Sequence, residues 1–333
     1  MTAQEPNLKE LIRKLEKRHQ KKQAATALLA GTAVLGLMVI ISPLLMPEPS
    51  QPLVSAPPPI VPVEGPDAYE KVTLQGKSAI VYDLTTHEVL YAKNSKSQLP
   101  LASLTKLLTI YAAAGSLKPS STVAITDSAL ASDGESGFSA GETFAFDDLA
   151  KLALVASSND ATAAIAESAA IAKATTGKNL LASAVSAMGL SQTYALNGTG
   201  LDESTTVSGG YGSAYDVATL AGALLEKAPD IAHATIAPSF AIRSKEGVVH
   251  SLPNTNPDVG LIPNLLLSKT GFTDLAGGNL VVVFDAAIGH PVAIVVLGSS
   301  REGRFQDVGK LLSLTLDHFA GIGPQTAAAS SAL

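Results

Sequence analysis

Cysteine and tryptophan are both absent from the 333 residues. Without cysteine, the chain can form neither a disulfide framework nor a thiolate metal site, and a lipoprotein anchor on an N-terminal cysteine is excluded. The six histidines are scattered, and none pairs with a carboxylate at a metal-ligand spacing. We therefore expect no metal and no other cofactor. Aromatic residues make up only 5 % of the chain, which argues weakly against a carbohydrate-stacking surface.

Apolar residues, in contrast, are abundant at 46 %, and one run without any charge covers residues 24–46. This run is long enough to cross a hydrocarbon core about 30 Å thick. The 23 residues before it hold seven lysines and arginines against three glutamates, and such a basic flank stays in the cytoplasm. We therefore predict a cytoplasmic segment at 1–23, a single-pass anchor at 24–46 and an extracytoplasmic remainder, on the periplasm or cell-wall side. The alternative is a cleaved signal peptide, whose apolar core is shorter, about 7–15 residues.

Proline is concentrated after this run, with eight of the 19 prolines in residues 47–66. Such a segment stays extended and separates its neighbours, so we predict a linker there, a folded domain at 67–320 and a disordered tail at 321–333. Residues 24–333 hold 16 lysines and arginines against 26 aspartates and glutamates. An acidic domain repels phosphates, so we expect no nucleic-acid partner.

The pattern of the folded domain changes twice along the chain. Residues 78–84 and 88–92 have the composition of a β-hairpin, and residues 122–126 that of a short strand. The middle favours helices, at 103–114, 147–156, 160–174, 180–188 and 215–227. Strand patterns return at 240–243, 247–249, 265–268, 279–285 and 291–298, before a closing helix at 304–319. Strand-rich ends around a helical middle predict an α+β fold with sheet and helices segregated.

Ser103 and Lys106 are the first candidates for chemistry. Residues three apart share a face of a helix, so the lysine amine can reach the serine hydroxyl. A serine hydroxyl becomes a good nucleophile when a neighbouring base takes its proton. Lysine can be that base only if its pKa falls well below about 10.4. Burial and a second cation both favour the neutral amine, and Lys269 is a candidate for that cation.

Two further motifs follow in the chain, Ser157-Ser158-Asn159 and Lys269-Thr270-Gly271. Each of these patterns occurs once, and no other serine is followed three positions later by lysine. Alone, each motif is a weak or modest signal. Together and in this order, they match the signature of penicillin-binding proteins and serine β-lactamases.

With these motifs in place, the chain from about Tyr69 to Phe319 resembles the serine D-alanyl-D-alanine carboxypeptidases, the low-molecular-mass penicillin-binding proteins. The similar runs are residues 100–106, 157–161, 200–202 followed by 213–216, 269–274 and 276–280. The resemblance implies an antiparallel sheet packed against a helical subdomain (a β-lactamase/transpeptidase-like fold), with the active site between them.

The resemblance also implies roles for single residues. Ser103 would attack the carbonyl of a D-Ala-D-Ala bond, and Lys106 would accept its proton. Ser157 would relay that proton to the leaving amine, and Asn159 would hydrogen-bond the substrate backbone. The backbone N–H groups of Ser103 and Phe272 would form the oxyanion hole.

The third motif would bind the substrate by the same resemblance. Lys269 and Thr270 would attract the terminal carboxylate, and Gly271 would let the strand approach the substrate because it has no side chain. Phe272 stands where relatives often carry histidine, which puts the substrate preference in question. Arg304 aligns with an arginine that helps to hold the carboxylate, although a solvent-exposed arginine at a helix start is an equal alternative.

The implied function is a serine D,D-carboxypeptidase that removes the terminal D-alanine of peptidoglycan pentapeptide stems and is acylated by β-lactams. A D,D-endopeptidase that cuts crosslinks would use the same residues. A class A β-lactamase needs a deacylating glutamate after the second motif, and none lies between Ser168 and Asp202. A non-catalytic wall-binding or antibiotic-sensing module is a further alternative, although every catalytic side chain is present.

Overall fold

The computed structural model describes residues 68–134 and 137–321, which all lie within one compact unit. The strands of these residues are β1 (Ser78–Asp83), β2 (Val89–Lys93), β3 (Leu99–Pro100), β4 (Thr122–Ala124), β5 (Thr143–Ala145), β6 (Tyr194–Ala195), β7 (Gly210–Gly212), β8 (Ser239–Arg243), β9 (Val249–Pro253), β10 (Leu265–Thr273), β11 (Gly277–Ala287) and β12 (His290–Ser299). The helices are α1 (Thr105–Ala114), α2 (Asp127–Leu130), α3 (Phe146–Val155), α4 (Asn159–Ala172), α5 (Gly177–Met188), α6 (Ala214–Lys227), α7 (Pro229–Ala234) and α8 (Gly303–Phe319).

Five strands form the main sheet, in the order β10-β11-β12-β1-β2, and every neighbouring pair is antiparallel. This confirms the predicted α+β fold with an antiparallel sheet. The sheet is held together by β-branched residues in β1, β11 and β12, which are buried on both faces. Gly289 closes the β11–β12 hairpin with a φ of +70°, a conformation that glycine adopts without strain. Strand β10 lies at a free edge of this sheet.

Alternate residues of the sheet face two separate cores. Ile80, Val281 and Val295 point into a core shared with the helical subdomain, which includes α1, α3 and α6. Their neighbours Val81 and Val282 point into a second core, closed by α8. A period of two along a strand divides its side chains in this way. Helix α1 packs inside the first core with eight buried residues, so its first turn is shielded from water.

The short elements were not predicted from the sequence. These are β3, β5, β6, β7, α2 and α7, each of two to six residues, too short for a periodic pattern. The strand predicted at 247–249 begins two residues too early. Gly247 has a φ of +95° and its N–H bonds the Ser244 carbonyl, so it belongs to the turn, and β9 begins at Val249.

The predicted segments 1–23, 24–46 and 47–66 lie outside the described residues, as does almost all of the predicted tail at 321–333. Within residues 68–134 and 137–321, no helix combines the length and the apolarity that a membrane span requires.

Candidate active site

Ser103 sits in a single 3₁₀ turn, Ala102–Leu104, that runs directly into α1. Ala102 has a φ of +48°, which is uncommon for a residue with a side chain and has to be enforced by its surroundings. Asn279 of β11 enforces it. Its side-chain N–H₂ donates to the carbonyls of Pro100 and Leu101, at 3.0 Å each. These two hydrogen bonds hold the turn that contains Ser103 against the main sheet.

Lys106 is fully buried one turn later, and its Nζ has three oxygen neighbours. Ser103 Oγ lies at 2.9 Å, Asn159 Oδ1 at 2.6 Å and the Thr199 carbonyl oxygen at 2.8 Å. Burial lowers the pKa of Lys106 to about 7. A neutral amine has two hydrogens and one lone pair. Because Asn159 Oδ1 and the Thr199 carbonyl can only accept, they take the two hydrogens, and the lone pair is left for the Ser103 hydroxyl.

Asn159 is fixed from its other end. Its Nδ2 donates to the carbonyl of Asp133, so the amide oxygen has to face Lys106. Ser158 begins α4 as its N-cap, with its hydroxyl accepting from the Ala161 N–H at 3.1 Å. In the structure, the Asn159 amide oxygen accepts a hydrogen bond from Lys106, which was not predicted. The predicted hydrogen bond from Asn159 to the substrate backbone stays a prediction.

The Thr199 carbonyl is oriented by hydrogen bonds within its own loop. Asn197 Oδ1 accepts from the N–H groups of Thr199 and Gly200, at 3.2 and 2.8 Å. Gly200 has a φ of +78°, and a Cβ at this position would lie 1.9 Å from the Ala102 carbonyl oxygen. No other residue fits there. This loop therefore packs against the turn that holds Ser103, and it also positions the Thr199 carbonyl as an acceptor for Lys106.

Ser157 and Lys269 form a second hydrogen-bonded pair near Lys106. Ser157 has a φ of +58°, and its hydroxyl accepts from Lys269 Nζ at 2.8 Å. The same Nζ donates to the Thr270 carbonyl at 2.8 Å. Burial first, and then the neighbouring charges of Lys106 and Arg304, lower the pKa of Lys269 well below its ordinary value. Lys269, the second cation that the sequence predicted, therefore holds its proton less tightly than an exposed lysine does.

Gly271 lies in close contact with the turn that holds Ser103, and its predicted approach to the substrate stays a prediction. A Cβ here would lie 2.9 Å from the Leu101 carbonyl oxygen and 3.3 Å from the Ser103 nitrogen. Strand β10 therefore lies against the turn Ala102–Leu104. This places the backbone of Phe272, the residue after Gly271, beside the backbone of Ser103. Thr270 Oγ1 donates to Thr255 Oγ1 at 2.6 Å, so its hydroxyl is held at the same edge.

Arg304 is only 7 % exposed, so it is not an arginine in solvent. Its Nη1 donates to the Gly271 carbonyl at 2.7 Å, and its Nε is buried without a partner. Phe272 is half-buried, and the guanidinium carbon of Arg301 lies 3.6 Å from the centre of its ring. Within the described ranges, no three histidine, aspartate or glutamate side chains come together as metal ligands.

The structure brings all nine predicted site residues into or beside this cleft. The sequence did not predict Thr199, whose carbonyl accepts from Lys106, Asn197, which orients that carbonyl, or Asn279, which holds the Ser103 turn. Gly200 and Asn279 lie in runs that carry the family resemblance, and this was the one available signal. The roles of Thr199 and Asn279 are invisible in the sequence because their hydrogen bonds to Lys106 and Leu101 span 93 and 178 residues.

Comparison with known proteins agrees with this geometry. The profile of the D-alanyl-D-alanine carboxypeptidase family matches residues 66–301. D-alanyl-D-alanine carboxypeptidase DacF of Bacillus subtilis is 30 % identical over 251 residues, covering 74 % of this chain and 63 % of DacF. The chain thus spans less than two thirds of the length of this relative.

Two solved structures are similar in fold. Penicillin-binding protein D2 of Listeria monocytogenes, in a cefotaxime-bound form, has 25 % identity and a TM-score of 0.62, over 73 % of this chain and 98 % of that one. The peptidoglycan synthesis regulatory factor PBP3 of Streptococcus pneumoniae has 27 % identity and a TM-score of 0.63, over 73 % and 72 % of the two chains.

Proposed function

Because this chain belongs to the D-alanyl-D-alanine carboxypeptidase family, we propose that it removes the terminal D-alanine from peptidoglycan stem peptides through an acyl-enzyme on Ser103. One observation carries the proposal. Lys106 Nζ lies 2.9 Å from Ser103 Oγ, with two carbonyl-type acceptors holding its hydrogens and a pKa lowered by burial to about 7. This is the arrangement of a base that takes the serine proton.

Acylation then follows from the positions of these groups. The Ser103 oxygen attacks the carbonyl carbon of the D-Ala-D-Ala bond while its proton passes to Lys106. The oxyanion faces the backbone N–H groups of Ser103 and Phe272, and removal of one such donor typically costs about 100- to 1000-fold in rate. The C–N bond breaks as the leaving amine takes a proton through Ser157. A water molecule then attacks the ester carbonyl and gives a proton to Lys106. The bond between the carbonyl carbon and the Ser103 oxygen breaks, Lys106 passes that proton to the Ser103 oxygen, and the shortened peptide leaves as a carboxylic acid.

On the leaving-group side of the scissile bond, contacts with the terminal carboxylate of the substrate contribute binding energy. Lys269, the Thr270 hydroxyl and Arg304 lie along the free edge of β10, and each is buried. Charge-assisted hydrogen bonds in such a site are about twice as strong as neutral ones. A peptide with a blocked C-terminus lacks this anion and should react poorly.

β-Lactams would acylate the same serine. The Listeria relative is a penicillin-binding protein in a cefotaxime-bound form, and a β-lactam carries a carboxylate beside a reactive amide, as the peptide does. A fluorescent penicillin should therefore label the folded domain, and Ser103→Ala should abolish the label. A folded wild type without label would favour the non-catalytic wall-binding or sensing module.

Mass spectrometry of muropeptides tests the reaction itself. Incubation of a monomeric pentapeptide with the full chain should remove a single alanine, and Ser103→Ala should leave the pentapeptide intact. Cleavage of a crosslinked dimer, with the monomer untouched, would identify an endopeptidase instead. Release of hydrolysed penicillin at many turnovers per minute would identify a β-lactamase.

We also propose that residues 24–46 anchor the chain in the cell membrane and hold the catalytic domain on the extracytoplasmic side. The support is the uncharged apolar run with its basic flank and the proline-rich segment 47–66. At about 3 Å per residue, that linker reaches some 60 Å. The full chain should sediment with membranes after carbonate washing, and a chain lacking residues 1–66 should not. Recovery of the full chain in the wash would contradict the anchor.

A further inference from the structure

Arg301 occupies a position that the proposed mechanism does not use. It is exposed just before α8, and its guanidinium carbon lies over the Phe272 ring, 3.6 Å from the ring centre. A cation over an aromatic face is attracted by the ring quadrupole. The ring therefore holds the arginine in place while leaving its N–H groups free to bind a ligand.

The backbone beneath Arg301 is rigid. Residue Gly278 of β11 is the register partner of Phe272. A Cβ on Gly278 would lie 2.1 Å from the Ser300 carbonyl oxygen and 3.2 Å from the Arg301 nitrogen. The segment before α8 thus packs directly on the sheet, next to the strand that binds the substrate. A side chain on such a support is preorganised for binding.

A second guanidinium, that of Arg304, lies nearby. Burial lowers the pKa of Arg304 and the charge of Arg301 lowers it further, while the charge of Glu302 partly offsets the shift. Among residues 68–134 and 137–321, neither arginine forms a salt bridge with a carboxylate, and this includes the adjacent Glu302. Like charges kept this close are costly, and an incoming anion relieves the repulsion. The pair of arginines is therefore a surface that favours a negatively charged ligand.

The strand fixes which part of the substrate meets Arg301. Thr270 and Phe272 are two residues apart on β10 and point to the same face, about 7 Å from each other. Under the proposed function, the terminal carboxylate binds at Thr270, and the scissile carbonyl lies at the Phe272 N–H. A group beyond Phe272 is therefore on the acyl side of the bond, in the residue that precedes D-Ala-D-Ala.

We propose that Arg301, stacked on Phe272, is a specificity-determining residue that binds a side-chain carboxylate on the residue preceding D-Ala-D-Ala. This inference rests on the proposed function and names the substrate class of the same site. It gives a reason for phenylalanine here, where relatives often have histidine. A neutral ring attracts the guanidinium at every pH, whereas a protonated imidazole would repel it.

Three N-acetylated tripeptides test the inference, L-Glu-D-Ala-D-Ala, its isosteric amide L-Gln-D-Ala-D-Ala and L-Lys-D-Ala-D-Ala. The release of D-alanine gives kcat/KM for each. Wild type should prefer the Glu peptide over the Gln peptide by about two- to five-fold, the range of an exposed ion pair, and the Lys peptide should be slowest. The preference should shrink as salt is added, because salt screens exposed charges.

Variants separate a binding role from a structural one. Arg301→Gln should lose the preference for Glu while its kcat/KM for the Gln peptide stays within about two-fold, since exposed surface changes rarely disturb the fold. Phe272→Leu should weaken the preference, because the ring no longer holds the guanidinium. Arg243→Gln is the matched control, an exposed arginine on β8 whose Nη1 binds the Gly247 carbonyl. It should leave the preference unchanged.

The possible failures are distinguishable. Equal rates for the Glu and Gln peptides in wild type, with D-alanine still released, would overturn the role of Arg301 and leave the carboxypeptidase intact. A preference that survives in Arg301→Gln would overturn it as well. No D-alanine from any tripeptide or from the pentapeptide would refute the proposed function itself.

Discussion

The protonation of Lys106 makes one quantitative prediction about acylation. Burial lowers its pKa to about 7, and the rate of attack by Ser103 depends on the fraction of neutral amine. That fraction is about one tenth at pH 6, one half at pH 7 and nine tenths at pH 8 if the pKa is about 7. The acylation rate should therefore rise about five-fold from pH 6 to 7, less than two-fold from pH 7 to 8, and then stay level.

An exposed lysine would behave differently. With a pKa of about 10.4, less than one amine in a thousand is neutral at pH 7, and the rate would increase about ten-fold with each pH unit. The two profiles differ most between pH 8 and 9.5, where the structure predicts a plateau. The low value has a structural cause, because the Lys106 side chain is fully buried and burial disfavours the charged amine.

The assay is stopped-flow labelling with a saturating fluorescent penicillin between pH 5.5 and 9.5. Saturation matters because it reports the acylation step in the complex and removes the pH dependence of carboxylate binding at Lys269. Circular dichroism at each pH excludes unfolding as the cause of a change. A rate that keeps climbing ten-fold per unit through pH 9 would refute the assignment of Lys106 as the base.

Three further predictions concern the same residues. Lys106→Arg should abolish labelling in a protein that remains folded by circular dichroism, because arginine does not release its proton; retained labelling would assign the base elsewhere. Gly200→Ala should lower the free energy of unfolding by about 1–3 kcal/mol or more in urea titrations and slow acylation, because its Cβ would meet the Ala102 carbonyl at 1.9 Å. Gly177→Ala, where a Cβ meets nothing within 4 Å, is its control. Finally, the folded pKa of Lys106 is lower than the unfolded one, so the unfolded chain binds more protons between about pH 7 and 10.4. The free energy of unfolding should thus rise with pH in that window, by at most about 1.4 kcal/mol per unit, and the slope should fall in Lys106→Met. An unchanged slope in that variant would contradict the buried, neutral amine.

The sequence predicted which residues come together at the site better than it predicted the contacts that support them, because those supporting contacts join distant parts of the chain. Ser103 and Lys106 are three residues apart on a helix, so their contact follows from local geometry alone. The combination of motifs and the family resemblance placed Lys269 and Ser157 in one site, but the hydrogen bond between them was not predicted. The Thr199 carbonyl carries no signal of any kind, because every residue has a carbonyl, and only the fold decides which one faces the lysine.

For the fold, the sequence predicted most of the longer strands and helices but not the order of the strands in the sheet. Long strands and helices have periodic patterns, and β1, β11, β12, α3 and α6 appear within a few residues of where these patterns placed them. The order of strands in the sheet is set by contacts between distant segments such as β1 and β12. Local patterns contain no information on such pairings. The positive φ of Ala102 and Ser157 was equally hidden, since neither residue type favours that conformation.

The pKa of Lys269 is lowered in the free protein, and binding of an anionic substrate should raise it. Burial, the charge of Lys106 and that of Arg304 all lower its pKa, which works against its expected role as the cation for the terminal carboxylate. An anion at Thr270 reverses this, because an opposite charge within a few ångströms raises the pKa of an amine.

Binding of a carboxylate should therefore be coupled to proton uptake at Lys269, by up to one proton per ligand. Calorimetry of Ser103→Ala with a tripeptide at pH 8 measures it, because the observed enthalpy then differs between buffers of high and low ionisation enthalpy. Lys269→Met is the control and should remove the difference. Identical enthalpies in the two buffers would mean that Lys269 is already charged in the free protein, and the cleft would then contain a permanent cation beside a neutral base.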